Sequence, residues 1–106
     1  MATPLTIDVI RSPAETITLA AAGEIDLSNV DAFSRAVTAA TAEAARSGAR
    51  LIADLAAVEY LDSAAISVLS VRADQIDTVV VHPLLHSVFV ISGLGELMTV
   101  EAATAD

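Results

Sequence analysis

The sequence predicts an α/β domain: a mixed sheet of four or five strands with helices largely on one face. Three observations lead there. Leu5, Ile7 and Val9 alternate with polar residues, and Ile17, Leu19 and Ala21 do so again after a Pro-bearing turn. This is the pattern of two half-buried strands. Residues 51–55 form a short apolar run that gives way, at Asp62-Ser63, to helical spacing. The stretch after Thr78 repeats that order, with a short apolar run, Pro83 and a second helical pattern.

In chain order, the first strand ends in the turn Arg11-Ser12-Pro13-Ala14, where Pro13 has no N–H to give a ladder. Thr16–Ala22 then returns beside it. The connection is too short for a crossover, so the pair is an antiparallel hairpin. Gly23 reads as the end of that strand. Leu27-Ser28-Asn29 leads into a helix, with Ser28 or Asn29 as its cap and Asp31 in its first turn. Val30, Phe33, Val37, Ala40 and Ala44 fall at helical spacing, and Gly48 is a natural stop.

The central unit runs from Arg50 to Ile76. Its strand covers 51–55, and a loop from Ala56 to Leu61 reaches Asp62-Ser63. Ile66, Leu69 and Ala73 share one face of a helix over 63–74, with Ser63 placed as its N-cap. A parallel strand follows over 78–82, and such a strand–helix–strand crossover closes right-handedly. Pro83 suits the first turn of a last helix built by Leu84, Leu85, Val88, Phe89 and Ile91 and capped by Gly93. Leu97–Ala102 is a final short strand or tail.

Composition narrows the function. The 106 residues make one domain, 1–106, long enough to bury roughly two-thirds of its unfolded surface. Hydrophobic residues reach 55% but aromatics only 3%, so the core is aliphatic and offers no stacking platform for bases. The net charge is −9, with five Arg and no Lys. Such a surface repels phosphate backbones and anionic membranes, which argues against a nucleic-acid partner. No cysteine is present, which removes disulfides and thiolate chemistry together. The N-terminus has no basic and apolar signal pattern. The most apolar stretch, Val79–Ile91, is interrupted by His82, Pro83 and His86 and is too short to span a bilayer. The expectation is a soluble cytoplasmic protein with no direct membrane insertion.

Catalysis finds little support. His82 and His86 form a lone H-x3-H with Pro83 between them and no third ligand nearby, so they read as solvated or capping residues rather than a metal site. Asp62 adjoins Ser63, but neighbouring side chains at a helix start usually point apart. There is no Gly-x-Ser-x-Gly elbow and no glycine-rich phosphate loop. A non-enzymatic protein without cofactor or metal is expected. What remains is Ser63 itself, a hydroxyl where a helix begins beyond the carboxyl end of a strand. Helix starts tolerate anions, and open α/β sheets carry their functional surfaces at such ends.

The run Leu51–Leu69, with Asp54-Leu55, Val58, Leu61-Asp62-Ser63 and Val68-Leu69, resembles the central motif of the STAS domain, the fold of bacterial anti-sigma factor antagonists. Gly23-Glu24-Ile25-Asp26 resembles the family's second signature. Val80-Val81-His82-Pro83 with Ser92-Gly93-Leu94 resembles its last strand–helix pair. The resemblance covers nearly the whole chain. It implies an anti-sigma factor antagonist, with Ser63 as phosphoacceptor and Ser67, one helical turn on, as the second candidate. It implies a partner, an anti-sigma factor with a histidine-kinase-like ATPase fold. The partner surface it implies comprises Asp26, Ser28, Asp62, Ser63, Ala64, Ala65 and Ser67. Asp26 reads equally as a loop carboxylate making local turn bonds. The motif is Asp62-Ser63-Ala64-Ala65 where the family usually has Asp-Ser-Ser/Ala-Gly, so Ala65 would add a methyl where a partner backbone approaches. Two alternatives share the fold: an accessory subunit of a membrane lipid-transport complex, and an interaction module that is not phosphorylated.

Overall fold

The alternation at the N-terminus forms a hairpin. Strand β1 (Thr6–Ser12) pairs antiparallel with β2 (Thr16–Ile25), with Val9 opposite Leu19. Pro13 and Ala14 of the expected turn lie outside the residues described by this computed structural model, which are 4–12 and 15–103. Strands β3 (Arg50–Leu61), β4 (Thr78–Val81) and β5 (Thr99–Ala102) continue the sheet, each parallel to its neighbour. The order is β1-β2-β3-β4-β5, a mixed sheet of five strands with β3 at its centre.

One face of this sheet carries the core. Ile17, Leu19, Ala21 and Ile25 on β2, Ala53 and Leu55 on β3, and Val79 and Val81 on β4 are all buried. They meet Phe33, Val37, Ala40 and Ala44 of α1 (Val30–Ser47), Ala65 and Leu69 of α2 (Ser63–Val71), and Phe89 of α3 (His86–Ile91). The helices therefore stack on that face, driven by apolar burial worth about 1.5–3 kcal/mol for each large side chain. On the opposite face Thr18, Ala20, Ala22, Ile52, Asp54 and Val80 stay partly exposed. The polar and small residues among them are what period-2 alternation in a one-sided sheet leaves outside, with Ile52 and Val80 as apolar exceptions.

Two boundaries differ from expectation, for one reason. β2 runs past Gly23 to Ile25, and β3 runs on through Ala56 to Leu61 instead of ending at Leu55. The ladder steps from Ala20 opposite Asp54 to Ala22 opposite Ala57, then from Gly23 opposite Val58 to Glu24 opposite Tyr60. Each step holds one extra residue on β3, so these are two β-bulges. Buried residues consequently fall at Leu51, Ala53, Leu55, Val58 and Leu61, and the spacing changes from two to three. The Asp54 carboxylate accepts the Ala56 N–H at 3.0 Å beside the first bulge. Gly23 lies between the two bulges at φ 102°, a conformation that suits a residue without Cβ.

The helices follow the sequence with smaller departures. Gly48 takes the left-handed conformation and ends α1, its N–H bonding Ala44 O. α2 stops at Val71, and a single 3-10 turn, Ala73–Gln75, replaces the last turn of the expected 63–74 helix. The last helix opens as a 3-10 turn, Pro83–Leu85, before α3 proper. His82 caps that turn, its Nδ1 accepting Leu84 N–H at 3.1 Å. The terminal segment Leu97–Ala102 resolves into β5 at the sheet edge.

Candidate functional site

The carboxyl ends of β2 and β3 lie side by side, with Ile25 in register with Leu61. Asp62 N–H then donates to Ile25 O at 3.2 Å, tying the start of α2 to the end of β2. The loops Asp26–Asn29 and Asp62-Ser63 are thereby brought to one pole of the domain, together with the turn after β4 that begins at His82.

Asp62, not Ser63, caps α2. Its Oδ1 accepts from Ala64 N at 3.0 Å and Ala65 N at 3.3 Å, and its backbone is extended, as a capping residue requires. The assignment of the cap to Ser63 is thus corrected: the carboxylate one residue earlier takes the amides of Ala64 and Ala65 and starts the helix at Ser63. Ser63 becomes the first helical residue, with its side chain exposed. Ser67, also exposed, follows one turn on.

The neighbouring loop is held by its own side chains. Asp26 Oδ1 accepts the Ser28 N–H at 2.9 Å and the Ser28 hydroxyl, while Asp26 O accepts from Asn29 and Val30. The Ser28 hydroxyl, then its amide, hold the Asp26 carboxyl below the usual carboxylate range. Asn29 occupies the N-cap position of α1 but makes no side-chain cap bond. Its Oδ1 accepts Asp26 N–H at 2.9 Å and its Nδ2 donates to Glu24 O at 2.9 Å. Neither Ser28 nor Asn29 acts as the side-chain cap expected of it: Ser28 bonds Asp26 within the loop, and Asn29 pins the loop to Glu24 near the end of β2.

Of the implied partner surface, Ser28, Ser63 and Ser67 are exposed, and Asp26, Asp62 and Ala64 are half-buried. Ala65 is a correction: it is completely buried in the core under α2, so its methyl cannot meet a partner. Two residues outside that set belong to the pole. Leu27 stands exposed at the tip of the loop, and Tyr60 is half-exposed at the end of β3. An apolar residue between Asp26 and Ser28, out of step with any strand or helix period, was the available signal for Leu27.

Charge is polarised about this pole. Glu24, Asp26, Asp31, Glu59 and Asp62 cluster there by sequence position in the loops and strand ends. Arg11, Arg46, Arg50 and Arg72 lie at the other end, where α1 and α2 finish and β3 begins. Two of them are paired, Arg11 with Glu43 and Arg50 with Asp77 at 2.7 Å. Among the described residues no three His, Cys, Asp or Glu side chains group as a metal site, and no helix is long and apolar enough to cross a membrane.

A five-stranded mixed sheet helical on one face, with an exposed serine opening the helix after its central strand, defines an α/β architecture of the STAS kind. The chain belongs to the STAS family: residues 9–100 match the family model described as "Mlab, STAS domain". No curated protein sequence matches it. Among solved structures it is similar to an anti-sigma factor antagonist from Mycobacterium paratuberculosis, at 23% identity and TM-score 0.79 over 92% of this chain and 86% of that one. It is similar to the anti-sigma factor antagonist SpoIIAA in its unphosphorylated form, at 18% identity and TM-score 0.69 over 93% and 89%. The Bacillus cell fate determinant SpoIIAA in its phosphorylated form aligns at 20% identity and TM-score 0.62 over 93% and 92%. At these identities the likeness establishes the fold.

Proposed function

We propose that this chain is an anti-sigma factor antagonist. It captures an anti-sigma factor through the pole where β2 and β3 end, frees a sigma factor, and lets go when Ser63 is phosphorylated. The observation that carries this reading is the position of Ser63. It is an exposed hydroxyl at the first turn of α2, freed from capping by Asp62 and flanked by the fixed loop Asp26–Asn29. A kinase reaches such a group without unfolding anything. The proteins that share the fold, named as anti-sigma factor antagonists and including a phosphorylated form, give the reading its direction.

The partner is an anti-sigma factor with a histidine-kinase-like ATPase fold, as the family implies, and its contact surface is basic to match the acidic pole. Asp26, Ser28, Asp62, Ser63, Ala64 and Ser67 form the contact set on this side. The protein acts by binding rather than by catalysis, in the cytoplasm where sigma factors meet polymerase.

Capture of partners on the immobilised chain, followed by phosphopeptide mapping of the chain from cells, tests this. The expected result is an ATPase of the kinase-like type and phosphate on Ser63. Phosphate on Ser67 alone would move the switch one turn along α2. Recovery of a transport ATPase instead would support the accessory-subunit alternative.

A further inference from the structure

The groove between α1 and α2 holds a cation without a counter-ion. Ser34 and Thr38 of α1, one helical turn apart, line one side, and Ser67, Val68 and Val71 of α2 line the other, around a space of about 250 Å³. Arg72, the residue that ends α2, is half-buried beside them. It leans across to α1, its guanidinium donating to the Thr38 hydroxyl at 3.5 Å. That bond is long, and its acceptor carries no charge. Arg11 and Arg50 have carboxylate partners in Glu43 and Asp77, whereas Arg72 makes no ion pair among the described residues. No carboxylate lines the groove, although the chain has 14 of them. A guanidinium and hydroxyls on facing helices make a donor set for an anion, and the planar guanidinium fork matches phosphate.

We propose that the anion is a phosphate carried by Ser67, and that the groove holds it as a clamp between α1 and α2. Ser67 is exposed, so its hydroxyl is reachable in the folded domain. An ATP-dependent serine kinase supplies the group. The Ser67 Oγ bonds to the γ-phosphorus of ATP as the bond to the β-phosphate oxygen breaks, ADP leaves, and the hydroxyl proton passes to a base of the kinase. A free phosphate would meet one cation and neutral donors in open water, too little to hold it. Tethering at Ser67 supplies the missing effective concentration. The consequence is opposite to that at Ser63. There the added charge meets Asp62 and the acidic pole, whereas one turn along α2 it meets Arg72 and the hydroxyls of Ser34 and Thr38. Phosphate on Ser63 governs the partner, and phosphate on Ser67 fastens two helices to each other. This inference rests on the reading of α2 as a kinase substrate, but its test needs no anti-sigma factor.

The full chain with phosphoserine installed at position 67 is compared with the unmodified chain, each also as its Arg72→Gln variant. Phosphorus NMR titration should place the second phosphate pKa about 0.5 unit or more below its ordinary value of about 6, because a guanidinium favours the dianion. Arg72→Gln should return it to that value. At about pH 8 the phosphorylated chain should unfold at higher urea concentration than the unmodified one, and part of the gain should disappear at about pH 5, where the phosphate is a monoanion. The gain should vanish with Arg72→Gln. Phosphopeptide mapping of the chain from cells should find phosphate on Ser67 as well as on Ser63. A second pKa indifferent to Arg72→Gln, or a domain weakened by the phosphate, overturns the clamp. Phosphate on Ser63 alone overturns the assignment of Ser67 and leaves the switch at Ser63 standing.

Discussion

The carboxylate of Asp62 accepts the backbone N–H of Ala64 at 3.0 Å, leaving Ser63 at the first helical position with its side chain exposed. The two residues divide the work of a helix start. Asp62 satisfies the free amides and complements the helix dipole, and Ser63 is available for chemistry.

Asp62→Ala should therefore destabilise the domain by about 0.5–2 kcal/mol, the cost of a lost N-cap. Ser63→Ala should stay within about 0.5 kcal/mol, as expected of an exposed site. Urea unfolding of both variants separates the roles. A larger loss for Ser63→Ala would return the capping function to the hydroxyl.

The bulged half of β3 yields a second expectation. Asp54 accepts the Ala56 N–H at 3.0 Å where the ladder is interrupted. Asp54→Ala should cost about 1.5–3 kcal/mol, the range for a hydrogen bond to a charged group. Asp54→Asn, which keeps an acceptor, should recover part of it. Identical unfolding midpoints for the three proteins would mean that the bulge is held by packing alone.

How legible all this was in the sequence varied with the periodicity. Val9 opposite Leu19 lies in a strict period of two, and Phe33, Val37, Ala40 and Ala44 in a helical one, so both elements declared themselves. Val58 and Leu61 did not, because each bulge stretches the buried spacing to three, which imitates a loop or a helix. The cap was missed for a geometrical reason. Asp62 and Ser63 are both good capping residues, and only the extended backbone at Asp62 decides between them. Ala65 is buried because it follows the exposed Ser63 by two positions on a helix, which its family counterpart's glycine conceals. The placement of Ser63 at the strand-end pole was readable from the strand–loop–helix order alone.

The ion pairs contribute to the pH dependence of stability on the acid side. Arg50 first, and then the Thr78 hydroxyl, hold Asp77 below its ordinary range, and the hydrogen bond from Arg11 does the same to Glu43. A carboxylate whose folded pKa is lowered binds fewer protons folded than unfolded, so stability rises with pH across that window. The contribution is complete above the ordinary carboxylate pKa of about 4 and is lost as pH falls through the depressed values. Asp77→Asn should flatten the fall in urea midpoint between about pH 6 and 2, and the difference should shrink in high salt because the pair is exposed. Parallel pH profiles for the variant and the parent would count against this origin.

The switch at Ser63 is an electrostatic prediction. Phosphorylation adds roughly −1.5 to −2 charges to a pole already bearing Asp26, Glu59 and Asp62. Within the isolated domain the effect should be mild. The helix start favours an anion by about 0.3–1 kcal/mol, and Asp62 opposes it across solvent by an amount of the same order. The fold should survive. At an interface the dianion must be desolvated against a partner surface arranged for a neutral hydroxyl, at several kcal/mol. Since each 1.4 kcal/mol is about tenfold in affinity, roughly 3–4 kcal/mol would release the partner. Ser63→Ala should bind the anti-sigma factor constitutively, while Ser63→Glu and Ser63→Asp should bind weakly although folded. Calorimetric titration against that factor measures the difference, with circular dichroism as the folding control. Equal affinities of the Ala and Glu variants would end the switch and leave a passive binding domain.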